Sequence, residues 1–240
     1  MGLLGREDVH PGGAAASDAL VLHLGEPGPG AQVVDLGAGA GGTSKRLLRR
    51  GWTVIAVEPD VELRGVLRAQ GLDGRDGRAE ELDRVVGTHA VDAVIAESVL
   101  YMTDLGRAFA AIRRALRPGG LLAFVDLVWV PGISARAAVE ANDRAVERYG
   151  IGIATPRNLA WSDWTRLLDE AGFDVVFEQR LGFGTQGHAS RIHLRKALPA
   201  LLRRPSLARD VLRTAWRTRT DPRLASTDAE TWMCVARSRG

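Results

Sequence analysis

Apolar and polar positions change period repeatedly along the chain, from runs of consecutive aliphatic residues to stretches with a single apolar face. The aliphatic runs predict buried strands at about residues 33–34, 53–57, 91–96 and 121–130. Residues 74–81 are expected to form a weak, short third strand with a turn at residues 77–80. The amphipathic stretches between them predict helices at about residues 43–50, 61–69 and 105–116. Because strands and helices alternate, we expect an α/β protein whose mostly parallel sheet is covered by helices on both faces.

Two longer segments interrupt this alternation. The first, at about residues 131–160, contains an alanine-rich helix predicted from Ser134 to Tyr149. The second, at about residues 184–228, separates a sixth strand predicted at residues 173–178 from a last strand at residues 231–236. We expect both segments to be helical lid insertions at the substrate side of the sheet.

The amino-terminal residues carry little strand or helix signal. Residues 1–16 are predicted to be a flexible lead-in, and Ser17 is expected to cap a short helix over residues 18–24. Residues 17–240 are then expected to form a single domain, which is an ordinary size for an α/β fold. No apolar run approaches the roughly 18 residues that a membrane-spanning helix needs.

A glycine-rich loop joins the first strand to the first helix of the alternating region. Gly37, Gly39 and Gly42 have the spacing of a dinucleotide-binding loop. However, Asp35 stands directly before these glycines, where its carboxylate would repel a pyrophosphate. An acid at that point suits a ligand with cationic ends, such as S-adenosylmethionine, and Glu58 at the end of the second strand has the spacing of a ribose-binding acid.

Several stretches in the same order are similar to the motifs of class I S-adenosylmethionine-dependent methyltransferases, and most like the branch that modifies small molecules. They are residues 33–41, 57–60, 77–82, 92–101 and 116–121. The resemblance covers roughly residues 33–126, with a fainter echo at 161–173. It implies a Rossmann-like, seven-stranded sheet whose last strand is antiparallel, with S-adenosylmethionine as the cofactor.

The resemblance also implies roles for the residues of the loop and of the second strand end. The backbone of Gly37, Ala38 and Gly39 would pass close to the methionine portion of the cofactor. Asp35 would orient that portion, directly or through water. Glu58, followed by Pro59, would accept hydrogen bonds from both ribose hydroxyls.

Two further positions depart from the usual family pattern. Arg78 and Ala79 occupy the adenine-edge turn, where many relatives have an aspartate in place of Arg78. Since arginine cannot accept a hydrogen bond, adenine recognition would use the Ala79 backbone or stacking of the arginine on the ring. Glu97 and Ser98, at the end of the fourth strand, would lie beside the transferring methyl group, and Glu97 replaces a small or polar residue. Arg78 on the surface and Glu97 as a plain strand-end acid are the alternatives.

The acceptor side of the site is less well marked. Tyr101, Trp129 and Tyr149 are candidate substrate-pocket residues, because ligands bind beyond the carboxyl ends of parallel strands. His188 and His193 are candidate general bases, although the reaction requires no catalytic side chain and surface histidines would look the same.

Charge is concentrated in the second insertion. The whole chain has 32 basic and 29 acidic residues, but residues 184–228 contain ten cations opposed by three aspartates. A solvated arginine face, a binding surface for an acidic or phosphorylated acceptor, and contact with a membrane surface all fit this pattern, in that order of preference. No motif supports nucleic-acid binding.

Cysteine usage narrows the setting and the chemistry. Cys234 is the only cysteine, so the chain has neither an internal disulfide nor a thiol-rich metal cluster, and we expect no metal and a cytoplasmic location. The leading hypothesis is methyl transfer to an oxygen or nitrogen of a small molecule, with specialised metabolism as its expected setting. The alternatives are a regulatory protein that binds the cofactor without transfer, and an NAD(P)-dependent oxidoreductase. Nothing in the sequence names the acceptor or the oligomeric state.

Overall fold

The strands form one seven-stranded sheet in a computed structural model that describes residues 12–149, 159–181 and 229–240. They are β1 Gln32–Leu36, β2 Thr53–Val57, β3 Asp73–Arg75, β4 Val91–Glu97, β5 Leu116–Trp129, β6 Phe173–Leu181 and β7 Ala229–Ser238. Their order across the sheet is β3-β2-β1-β4-β5-β7-β6. The first five strands are parallel to one another, and β7 is antiparallel to both β5 and β6. The predicted Rossmann-like sheet is therefore confirmed.

Helices cover both faces of this sheet. They are α1 Gly13–His23, α2 Gly42–Arg49, α3 Val61–Ala69, α4 Leu82–Val86, α5 Leu105–Ala115, α6 Ala135–Tyr149 and α7 Trp161–Glu170. Successive residues of β1 point to opposite faces, so Val33 packs in the core beneath α1 and α2 while Val34 packs in the core beneath α4, α5 and α7. This double burial explains why the parallel strands read as continuous apolar runs.

The third and fifth strands differ most in length from the sequence-based expectation. The third strand was expected at residues 74–81 with a turn at residues 77–80; it ends at Arg75, and a short 3₁₀ helix follows over Ala79–Glu81. There the Glu80 carboxylate accepts a hydrogen bond from the Asp104 backbone at the start of α5, which favours the turn over continued pairing. The fifth strand begins earlier, because Leu116 already pairs with Val91 before the Pro118-Gly119 turn.

The amino-terminal helix corrects the predicted lead-in. Helix α1 begins at Gly13, four residues before the expected cap, so residues 13–16 are helical and Ala16 is buried. Ser17 lies inside this helix and is fully buried, and it is not the cap. The short alanine run that precedes Ser17 forms the extra helical turn, because alanine has the highest helix propensity of all residues.

The first insertion begins with the expected helix, α6, whereas the second insertion at residues 184–228 lies outside the described residues. Among the helices of the described ranges, none has both the length and the apolar character required to cross a membrane.

Candidate active site

The glycine loop lies between β1 and α2 and is held against the end of β2. The backbone N–H groups of Gly37 and Ala38 both donate to the Val57 carbonyl, at 2.8 and 3.1 Å. Gly41 N–H then donates to the Ala38 carbonyl at 2.8 Å, which closes a tight turn at the start of α2. The loop is therefore built on the carboxyl ends of two central strands, where ligands bind in open α/β sheets.

Two glycines of the loop serve different purposes. Gly37 has φ +70°, and a Cβ atom there would come within 2.3 Å of the Val99 Cγ2 atom, so only glycine permits this close packing. Gly39 has φ +54°, and among the described residues the space into which its Cβ would point holds only the Gly37 carbonyl oxygen, at 4.0 Å. Gly37 is thus required by packing, while Gly39 leaves its backbone open to a ligand.

The carboxylate of Glu58 faces this loop from the end of β2. Glu58 is 7% exposed, and its Oε2 atom accepts a hydrogen bond from Gly39 N–H at 2.9 Å. Its Oε1 atom accepts from Asp60 N–H at 3.0 Å. Since a carboxylate offers about four lone-pair positions, each oxygen keeps one with which to accept a further donor. The glycine loop and Glu58, which the sequence predicted to form one binding site, are therefore hydrogen-bonded to each other.

Asp35 lies beneath the loop at the end of β1. It is 4% exposed, and its Oδ2 atom accepts a hydrogen bond from the Ser44 hydroxyl on α2 at 2.6 Å. The pKa of Asp35 is raised to about 7, mainly by burial and also by the negative charges of Glu97 and Glu58, while the hydrogen bonds from Ser44 lower it. A cation entering this region would favour the ionised form of Asp35.

Glu97 ends β4 on the other side of the loop. Its Oε1 atom accepts from the Thr43 hydroxyl of α2 at 2.5 Å, and its Oε2 atom accepts from the Ser17 hydroxyl of α1 at 2.7 Å. Glu97 therefore joins two helices at the rim of the site. Sequence reasoning missed the contribution of Ser17, because 80 residues separate it from Glu97 and a buried serine inside a helix has no sequence signature.

The segment after Glu97 is strained and carries an unsatisfied hydroxyl. Ser98 has φ +56°, which is unusual for a residue with a side chain, and its N–H donates to the Val125 carbonyl at 2.8 Å. Its Oγ atom is buried without a hydrogen-bond partner among the residues that the structure describes. Strained backbone and unsatisfied polar groups concentrate at functional sites, which supports the prediction that Ser98 faces a ligand.

Asp126 of β5 is a buried acid that sequence reasoning did not select. It is 0% exposed, and its Oδ2 atom accepts from the Leu100 and Val99 backbone N–H groups at 2.8 and 3.3 Å. Burial raises its pKa to about 7. The available signal was a single acid within the aliphatic and aromatic run Leu121–Trp129.

Comparison with known proteins decides what kind of domain surrounds this loop. Residues 34–124 match a family model described as a methyltransferase domain. The match begins in β1 and ends in β5, and so includes the glycine loop and the carboxyl ends of β2 and β4. Residues 34–124 of this chain are therefore a methyltransferase domain. The methyl donor of this class is S-adenosyl-L-methionine, as the sequence resemblance implied.

Two curated relatives agree with this assignment of a methyltransferase domain. An uncharacterised methyltransferase of Mycobacterium tuberculosis is 40% identical over 105 residues, which is 43% of this chain and 41% of the relative. A dimethylglycine N-methyltransferase of Parasynechococcus marenigrum is 33% identical over 153 residues, which is 54% of this chain and 53% of the relative. The chain thus spans about half or less of the length of these two relatives.

Similarity of fold extends further than similarity of sequence. The crystal structure of a proposed sarcosine dimethylglycine methyltransferase from Galdieria sulphuraria superposes with a TM-score of 0.71 and covers 99% of this chain and 96% of that one. The identity is 16%, so this likeness concerns the fold of the methyltransferase domain.

The residues of the methyltransferase domain fit the chemistry of S-adenosylmethionine. Asp35, Glu58 and Glu97 end three neighbouring strands around one glycine loop, and both Glu97 and Glu58 act electrostatically on Asp35. This concentration of negative charge would repel a pyrophosphate and attract an ammonium or sulfonium group. The open space at Gly39 lies next to the Glu58 carboxylate, so a ribose there would find an acceptor at the loop.

The adenine-edge turn of the methyltransferase domain lies beyond β3. Arg78 is exposed with extended backbone, at φ −127° and ψ 161°, and Ala79 is 2% exposed at the start of the 3₁₀ helix. Pro59 is also exposed, and its carbonyl accepts a hydrogen bond from the Arg64 side chain at 2.7 Å. The cofactor contacts expected of these residues stay predictions.

The aromatic candidates for the acceptor pocket differ in their surroundings. Tyr101 is partly buried beyond β4, and burial, followed by the charge of Asp126, raises its pKa to about 12. Trp129 is 4% exposed and packs with Ala138 and Ala141 of α6, so it joins that helix to the sheet. Its expected contact with substrate stays a prediction.

Three other candidates fall outside what can be described. Tyr149 ends α6, but its side chain is not among the described parts of the structure, and His188 and His193 lie in the segment 182–228. Within the described ranges, no group of three or more histidine, cysteine, aspartate or glutamate side chains could hold a metal ion.

Proposed function

We propose that this protein transfers a methyl group from S-adenosylmethionine to a nitrogen or oxygen atom of a small-molecule acceptor. The observation that carries the proposal is the meeting of three strand-end carboxylates, Asp35, Glu58 and Glu97, around a glycine loop that is open at Gly39. Such a site favours a cationic cofactor over a dinucleotide, because a pyrophosphate would meet the same negative charges.

The chemistry asks little of the protein besides binding and alignment. The sulfonium cofactor supplies an activated methyl carbon and a neutral thioether leaving group, so an aligned lone pair of the acceptor is sufficient for displacement. Glu58 and the loop backbone would hold the nucleoside and methionine portions. Tyr101 has a pKa of about 12, so near neutral pH it keeps its proton and acts as a hydrogen-bond donor to the acceptor.

A nitrogen acceptor has the better support. The Parasynechococcus relative, 33% identical over about half of each chain, is named for transfer to the nitrogen of dimethylglycine. An acidic or phosphorylated acceptor would also suit the ten cations of residues 184–228, which lie outside the described residues. We further propose a reducing, cytoplasmic setting, because the chain has one cysteine and so cannot form an internal disulfide.

Isothermal titration calorimetry with S-adenosylmethionine tests the cofactor, and release of S-adenosylhomocysteine over a panel of small amines, amino acids and hydroxylated compounds tests transfer. Binding followed by turnover on at least one amine supports the proposal. Binding without turnover on any panel member supports the regulatory alternative. A melting temperature that rises with NAD(P) and is unchanged with S-adenosylmethionine would overturn the proposal in favour of an oxidoreductase.

A further inference from the structure

The segment Ser98–Tyr101 joins the cofactor loop to the acceptor side of the site. Its first residue, Ser98, is held at φ +56° with its hydroxyl buried and unpartnered among the described residues. Its second residue, Val99, packs on Gly37, where no Cβ atom would fit. Its last residue, Tyr101, lies in a 3₁₀ turn over Leu100–Met102. The conformation of these four residues therefore determines what the site presents to a ligand.

The backbone of this segment depends on Asp126. The Val99 and Leu100 N–H groups follow a strained residue and pair with none of the strands in the described part of the chain, and the Asp126 carboxylate accepts from both of them. The second oxygen of Asp126 accepts from Leu127 N–H at 3.1 Å, which fixes the carboxylate on β5. A fully buried carboxylate is costly to maintain, and this one is compensated by backbone donors of the segment that it supports.

We propose that Asp126 is a positioning residue that holds Ser98 in its left-handed conformation, so that the Ser98 hydroxyl is presented to the S-adenosylmethionine site. This inference rests on the proposed function, because it assigns the unpartnered hydroxyl to the same ligand. Without the carboxylate, the Val99 and Leu100 N–H groups would lose their acceptor, and the segment would relax from the strained conformation at Ser98.

A double-mutant cycle on the binding of S-adenosylhomocysteine separates this role from a purely structural one. In the 240-residue chain, Asp126→Leu should weaken binding about tenfold, the effect of losing one well-placed hydrogen bond. Asp126→Asn keeps an acceptor oxygen and should stay within about threefold of the wild type. In a Ser98→Ala background, Asp126→Leu should have little further effect, because its action passes through the missing hydroxyl.

Asp92→Leu is the matched control. Asp92 accepts from Gln32 N–H at 2.8 Å on the same sheet, but at the amino end of β4, away from the site. Its substitution should leave the affinity unchanged, and its effect should be additive with that of Ser98→Ala. Melting temperatures of all variants show whether each one folds. If Asp126→Leu does not fold, Asp126→Ala, which also removes the acceptor oxygens, provides a second cycle with Ser98→Ala.

The outcomes distinguish this inference from the proposed function. A wild-type protein that fails to bind S-adenosylhomocysteine overturns the proposed function, and the positioning role of Asp126 with it. If the wild type binds, additive effects of Asp126→Leu and Ser98→Ala overturn the positioning role alone. The same holds if Asp126→Leu binds as tightly as the wild type. Non-additive loss with rescue by asparagine supports the proposal.

Discussion

Replacing Glu58 by alanine is the most direct perturbation of the candidate cofactor site. The Glu58 carboxylate is 7% exposed and bonds to the N–H groups of Gly39 and Asp60. These bonds orient the carboxylate beside the open face of the loop. In the proposed complex its remaining lone pairs accept from two ribose hydroxyls, so the substitution removes the acceptor of both.

The expected loss follows from the number of hydrogen bonds. Leaving two ribose hydroxyls without their charged acceptor should weaken cofactor binding by on the order of 1–3 kcal/mol. This corresponds to a dissociation constant that is roughly 5- to 150-fold higher. The variant should also be less stable, since the Gly39 and Asp60 N–H groups lose a buried acceptor. Binding therefore has to be measured at a temperature well below the melting temperature of the variant.

The assay is isothermal titration calorimetry with S-adenosylhomocysteine, and Asp60→Ala is the matched control. Asp60 caps α3 by accepting from the Glu62 and Leu63 N–H groups at 2.8 and 3.0 Å. Losing a cap costs about 1 kcal/mol of stability, so this variant has a weakened α3 and an intact Glu58. Its affinity should equal that of the wild type. Unchanged affinity in Glu58→Ala, or an equal loss in both variants, would refute the ribose assignment.

Three further predictions concern the loop and the buried acids. Gly37→Ala should lower the melting temperature by roughly 5–15 °C, because φ +70° and a Cβ atom 2.3 Å from Val99 Cγ2 add strain and overpacking; an unchanged melting curve would contradict this. Gly39→Ala has space for its Cβ, so the variant should fold with a loss of about 1 kcal/mol in the free energy of unfolding. Its affinity for S-adenosylhomocysteine should fall about tenfold or more, because the added methyl group would collide with the ligand. Wild-type affinity in calorimetry would show that the loop is not the ligand surface. The pKa values of Asp35 and Asp126 are raised, mainly by burial, from 3.8 to about 7. Between these two pH values the ligand-free folded protein keeps protons that the unfolded chain has released. The stability that these groups contribute therefore falls as pH rises from about 4 to about 7. Asp35→Asn should flatten the profile of melting temperature against pH over that range, and a profile of unchanged shape would show that Asp35 does not titrate there.

The sequence allowed the centre of the site to be predicted because its signals are local. A buried strand, an acid and a glycine loop follow one another within Gln32–Gly42, and the periods of the flanking strand and helix identify the unit. The resemblance to known motifs added the seven-stranded sheet and the antiparallel last strand. The structure confirms both, and it bonds Gly39 to Glu58 across 19 positions of the chain.

The remaining parts of the site depend on contacts between distant residues. Ser17 was expected to cap a helix, a role that serine often has, but it lies within α1 and donates to Glu97. Asp126 supports Val99 and Leu100 from 26 or more positions away, and its own neighbours in β5 carry no sign of this. No periodicity or propensity encodes such pairs, since each partner is ordinary in its local context.

These long-range contacts make the candidate site and the fold interdependent. Glu97 ties α1 and α2 to β4, Glu58 ties the glycine loop to α3, and Asp126 ties the segment after β4 to β5. Each carboxylate is bonded by groups of the protein itself, so its position is set before any ligand arrives. A preorganised site of this kind spends little binding energy on ordering side chains. Its cost is that buried like charges destabilise the ligand-free protein, and a bound cation would relieve that cost by compensating the charge on Asp35. Cofactor binding should therefore stabilise this fold by more than the contacts of the ligand alone would suggest.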